Sequence, residues 1–142
     1  MNKIKSTLII LSVSCALMAQ DKITPTIGMT WDYDVANDNG GDIMPDQRIG
    51  IRVTDKKRTY GFDTNGDDHR TILGYSFAQI GIGVTPGADD TNDTWLTLGA
   101  SYNFFKGVNT ELEFVHFPAT EDENGAAIDA KSMVRLSLVL GF

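Results

Sequence analysis

Five charged residues share the face opposite the apolar one in segments that alternate with period two: Arg48, Arg52, Glu111, Glu113 and Arg135. Three cations and two carboxylates on one enclosed face could gate or conduct a solute, or could neutralise each other as a plug of ion pairs. A narrow barrel interior is normally filled by side chains, so the plug is the favoured reading and diffusive transport is disfavoured. Other chemistry is poorly supplied. Asp63-Thr-Asn65-Gly-Asp67 begins like a calcium loop with oxygen ligands at alternate positions, yet Asp68 stands where that loop needs glycine and Gly74 where it needs a bidentate glutamate. Asn37-Asp38-Asn39-Gly40-Gly41-Asp42 is good turn chemistry in its own right. The two histidines, His69 and His116, have no neighbours in sequence that complete a nucleophile, base and acid. The expectation is therefore no catalytic residue, no metal site and no cofactor.

Length and charge bound the rest. A chain of 142 residues favours one domain, and 12 Lys and Arg against 19 Asp and Glu give a net charge of −7. A pI near 4.6 argues against phosphate-backbone binding, so nucleic acid is not an expected partner. The first 20 residues read as a secretory signal peptide: Lys3 and Lys5 precede an apolar run from Leu8 to Ala19 that is too short to span a bilayer as a helix. Cleavage after Ala19 or Gln20 fits, leaving residues 21–142 as the mature domain. Cleavage also removes the only cysteine, Cys15, and with it any disulfide or thiol chemistry.

The elements that must position the charged residues are strands. From Val134 the residues Val134, Leu136, Leu138, Leu140 and Phe142 fall on one face, with Met133, Arg135, Ser137, Val139 and Gly141 on the other. The same period of two runs through Ile23 to Tyr33, Arg48 to Val53, Ala78 to Val84, Leu96 to Phe104 and Glu111 to Phe114, with a short strand around Tyr60 and Phe62. Between Phe77 and Ala78 the phase slips, which a tight turn at Ser76 and Phe77 explains. That turn brings the count to eight, the even number expected of an up-and-down antiparallel transmembrane β-barrel, whereas a single long bent strand through residues 68–85 would give seven, which parity disfavours.

Connections alternate between two kinds. Long ones are acidic, with Asp34, Asp38, Asp42 and Asp46 in the first, Asp67 and Asp68 in the second, Asp89, Asp90 and Asp93 in the third, and Glu121, Asp122, Glu123 and Asp129 in the last. Short ones are basic, at Lys56-Lys57 with Arg58 and at Lys106-Gly107. Aromatics gather near strand ends: Trp31, Tyr33 and Trp95 on the loop side, Tyr60, Phe104, Phe105 and Phe142 on the turn side, as two interfacial girdles would have it.

Signal peptide, alternating strands, acidic long loops and a final strand ending in Phe142 together resemble the small eight-stranded outer-membrane β-barrel proteins of Gram-negative bacteria, the OmpA/OmpX-like class. Leu136-Ser-Leu138-Val-Leu140-Gly-Phe142 looks like the C-terminal signal by which such proteins reach the barrel-assembly machinery. The resemblance implies location in the cell outer membrane, contact with its lipids and lipopolysaccharide, and a non-enzymatic role in envelope integrity or in binding an extracellular partner through the loops. Some small barrels of this kind are lipid hydrolases with a serine two residues after a histidine; Phe117 and Pro118 follow His116 here, so that pattern is missing. Two other readings stand beside this one: a small porin-like channel for a small or hydrophobic solute, and a secreted soluble β-barrel or sandwich that binds a ligand in its calyx.

Overall fold

The computed structural model describes residues 23–35, 45–86, 92–121 and 124–142. The expected signal peptide and the acidic residues Asp38, Asp42, Asp89, Asp90, Asp122 and Glu123 lie outside them. Strands form where apolar and polar residues alternate: β1 (Ile23–Asp34), β2 (Asp46–Asp55), β3 (Arg58–Thr64), β4 (His69–Tyr75), β5 (Ala78–Pro86), β6 (Asn92–Phe105) and β7 (Val108–Phe117). A small hairpin, β8 (Thr120–Glu121) and β9 (Ala127–Ile128), precedes β10 (Lys131–Gly141). Strands β1 to β7 and β10 close an antiparallel up-and-down barrel of eight strands, with β8 and β9 paired apart from it. Closure comes from β1 pairing with both β2 and β10, so the ring has no free edge.

The phase slip at Phe77 is a two-residue turn. β4 ends at Tyr75, β5 begins at Ala78, and Ser76 takes a φ of 58°. Lys56-Lys57 and Lys106-Gly107 make the other two turns at this end, with φ of 52° at Lys56 and 83° at Gly107. Hairpins this tight need a residue in the left-handed region to match the twist of their strands. We call this the turn end and the opposite one the loop end. β6 carries one irregularity between Asn103 and Phe105, which lets Phe104 and Phe105 both lie exposed on the outside.

The second loop-end connection differs from expectation: it is four residues, Asn65 to Asp68, because β3 runs to Thr64 and β4 starts at His69. The string that begins like a calcium loop is a turn held by the Asn65 side chain, whose Oδ1 accepts the backbone N–H groups of Asp67 and Asp68 at 3.1 and 2.8 Å.

Burial is inverted relative to a water-soluble core. Among the described residues the buried set includes Arg48, Arg52, Asp63, Arg70, Glu111, Glu113 and Arg135, all pointing into the barrel. Ile27, Met29, Ile80, Leu98, Leu112, Phe114, Leu136 and Leu138 are exposed on the outer wall. Period-two alternation produces both facts at once, since a strand that turns Arg135 inward must turn Leu136 outward.

Candidate functional site

The barrel interior is built around Asp63. This residue sits on β3, flanked on one side by β2, which carries Arg48 and Arg52, and on the other by Arg70, its register partner on β4. Asp63 Oδ1 accepts from Arg48 Nε at 2.8 Å and Arg70 Nε at 3.2 Å. Its Oδ2 accepts from Arg52 Nη2 at 3.0 Å and Arg70 Nη2 at 2.7 Å. One carboxylate thus uses both oxygens twice, the full acceptor capacity of the group.

Two glutamates on β7 complete the set from across the lumen. Glu111 accepts from Arg52 at 3.3 Å and from Arg70 at 3.4 Å. Glu113 accepts from Arg70 Nη1, from Gln79 Nε2 at 3.0 Å and from Thr97 Oγ1 at 3.1 Å. Arg48 reaches the other way, donating Nη2 to Asp68 at the start of the loop end. Arg70 and Glu113 are each 1% exposed, so these charges are tolerable only because each meets a counter-charge and further hydrogen bonds. Room for three guanidinium groups comes from small neighbours: the Arg52 side chain lies over Gly61, where a Cβ would stand 2.7 Å from Arg52 Cδ.

Arg135 belongs elsewhere, which corrects its expected grouping with Glu111 and Glu113. It is the register partner of Glu113 across β7 and β10, but its guanidinium turns toward the loop end and donates to both oxygens of Asp32, each at 2.7 Å. The same guanidinium lies 5.0 Å over the Trp95 ring. Trp95 is likewise corrected: it is no girdle residue on the outer wall but a wholly buried side chain inside the barrel. Its Nε1 donates to Thr85 Oγ1 at 3.2 Å and its ring packs 5.7 Å from Phe117. The reason is parity, since Trp95 lies two residues before inward Thr97 and opposite Gly83, which leaves space for an indole.

These layers divide the lumen. Toward the turn end lies a polar cavity of about 280 Å³ with Arg52 and Glu111 at its floor and Thr54, Thr59, Gln79, Ser101, Asn103 and Asn109 among its walls. Between the Asp63 network and the inner faces of β1 and β10 a chamber of about 10 Å³ remains, lined by Thr26, Thr30, Arg48 and Ser137. That is room for about one water molecule. Above it stand Trp95, Phe117 and the Arg135–Asp32 pair.

Outside the lumen the sequence candidates separate. Leu136, Leu138, Leu140 and Phe142 lie exposed along the end of β10. His116 Nδ1 is 3.1 Å from Ser132 Oγ across the β7–β10 pair, a cross-strand hydrogen bond on the outer wall. His69 stacks on Phe62 with ring centroids 6.1 Å apart. No group of three or more His, Cys, Asp or Glu among the described residues is arranged to hold a metal ion. Asp63 and Arg70, the two centres of the network, are not among the charged residues that the alternation singles out. Asp63 is hidden in a turn-like string, and Arg70 in a strand whose alternation is plain only from Leu73; the inward parity of Gly61 and Ile72 marks both. No family model, curated protein or solved structure matches the chain.

Proposed function

We propose that this chain is a non-enzymatic β-barrel protein of the bacterial outer membrane, a plugged body that holds acidic loops at the cell surface for envelope integrity or surface interaction. The observation that carries the reading is the inverted burial: a ring of apolar side chains faces outward around a lumen of paired charges. A soluble protein with that exterior would expose far more contiguous apolar surface than monomers in water do. In a bilayer the same wall is solvated by lipid, and a closed ring of strands satisfies every backbone group without water. Phe142 and the outward leucines of β10 supply the C-terminal pattern that the assembly machinery of such membranes reads.

The test is fractionation of the protein expressed with its own first 20 residues. Recovery in the outer-membrane fraction, with a band that changes mobility only on boiling, supports the reading. Recovery as a soluble periplasmic protein sinks it in favour of a secreted calyx or sandwich.

The cavity of about 280 Å³ at the turn end favours a second reading, a narrow channel. The Asp63 network stands across that path. Planar bilayers containing the purified protein should therefore stay silent, and discrete conductance steps lost on Arg52→Gln would promote the channel instead.

A further inference from the structure

Nine cationic side chains lie among the described residues, and they divide cleanly by partner. Arg48, Arg52, Arg70 and Arg135 are paired with carboxylates inside the barrel, and Lys131 is paired with Asp34 at 3.1 Å at the loop end. Lys56, Lys57, Arg58 and Lys106 are exposed and make no ion pair among the described residues. All four stand at the turn end. Acids are distributed oppositely: Asp34, Asp46, Asp67, Glu121 and Asp129 lie at the loop end, and Asp55 is the one carboxylate side chain outside the lumen at the turn end among the described residues.

Three of the four cations are consecutive, and the placement of Arg58 is informative. It shares the outward parity of Tyr60 and Phe62, and its register partner across β3 and β4 is Tyr75. Tyr75 and, two residues on, Phe77 are 62% and 67% exposed. Backbone contact ties the two turns together, since Ser76 N donates to Lys57 O at 2.6 Å. Arg58, with Asp55 opposite it across β2 and β3, therefore sits on the rim of an apolar wall beside Tyr75, and Lys56 and Lys57 precede it in the turn. On the far side of the barrel Lys106 repeats the motif next to Phe104 and Phe105, both exposed.

We propose that the rim formed by Lys56, Lys57 and Arg58 with Tyr75 and Phe77 is a binding site for the headgroups of anionic phospholipids. The inference rests on the membrane reading above and adds a lipid class and a face to it. Cations at a membrane edge draw anionic lipid electrostatically, while neighbouring rings sit at headgroup depth and the stems of Lys and Arg pack along apolar surface. A soluble acidic partner would need the charges alone; it would have no use for exposed rings that continue into the apolar wall.

The experiment uses the mature protein in a non-ionic detergent, incubated with phosphatidylglycerol or phosphatidylcholine of the same chains, with retained lipid counted by native mass spectrometry. Phosphatidylglycerol should be retained at least about fivefold over phosphatidylcholine, with the preference shrinking as salt rises. The combined variant Lys56→Asn, Lys57→Gln and Arg58→Gln should lose most of that preference while still migrating as a heat-modifiable band; asparagine is chosen at residue 56 because it tolerates positive φ. Equal retention of the two lipids by the unaltered protein overturns the proposal and leaves the rim to a soluble acidic partner. An undiminished preference in a folded variant overturns it too, by placing the lipid on other cations. Because the measurement is made in micelles, its failure is separable from a failure to reach the outer membrane.

Discussion

Gly83 and Trp95 face each other across β5 and β6, and the indole fills the space that any Cβ on residue 83 would need. The ring lies against the strand over Gly83 in consequence, and Arg135 sits over the ring. Gly83→Ala should displace the ring and cost about 1–3 kcal/mol, the usual penalty for overpacking a filled interior. Urea unfolding in detergent gives the energy, and tryptophan emission in a Trp31→Phe background gives the displacement. Emission should start blue-shifted and resistant to iodide, then move to the red in Gly83→Ala; an unmoved spectrum would show that the ring never depended on the glycine.

Asp63→Asn removes the shared counter-charge of three arginines at once. Leaving buried guanidinium groups uncompensated should cost about 3–5 kcal/mol. Asp68→Asn, which alters a carboxylate that meets only Arg48 and lies nearer solvent, should cost clearly less. Boiling resistance on gels and chemical unfolding both rank the two variants, and equal losses would mean that Asp63 is not the hub.

The Arg135–Asp32 pair is suited to a double-mutant cycle with Arg135→Met and Asp32→Asn. Two short hydrogen bonds in one plane predict a coupling energy of about 1–3 kcal/mol. A coupling indistinguishable from zero would make the pair an incidental contact between two independently placed side chains.

Ser76 adopts a φ of 58° in the turn between β4 and β5. A left-handed conformation costs a non-glycine residue about 1–2 kcal/mol, part of which glycine returns through its freer unfolded chain. Ser76→Gly should therefore stabilise the barrel by about 0.5 kcal/mol, seen as a higher urea midpoint with an unchanged slope. Ser76→Val should move the midpoint the other way.

Alternation makes most of the wall legible in the sequence itself. Arg48, Arg52, Glu111, Glu113 and Arg135 each lie opposite the apolar face on strands with a clear period, and all five point into the lumen. What the period cannot convey is which charge meets which. Arg135 and Glu113 are register partners that share a face, yet each side chain meets a different partner, Arg135 meeting Asp32 and Glu113 meeting Arg70. Asp63 is obscured because Asn65 and Gly66 dominate the local signal, although β3 continues past it to Thr64. Trp95 reads as a girdle residue because an aromatic near a strand end suits an interface equally well; its parity with Thr97 and its cross-strand neighbour, Gly83, are what distinguish inside from outside.

Asp32 and Arg135 lie 103 residues apart in the chain and meet across the seam where β1 joins β10. β1 and β10 are the first and last strands of the barrel in the chain, so until both are in place the seam stands open with two bare edges. The network around Asp63 can draw β2, β3 and β4 together locally, but it cannot close the ring. Closure is thus a single late event with its own latch, an ion pair between buried Arg135 and half-buried Asp32 that no incomplete barrel can make. A pairing this distant in sequence carries a large loop-closure entropy and belongs to slow folding. Once made, it turns an open ribbon into a hoop whose clasp is the Arg135–Asp32 pair, with the guanidinium lying over the Trp95 ring.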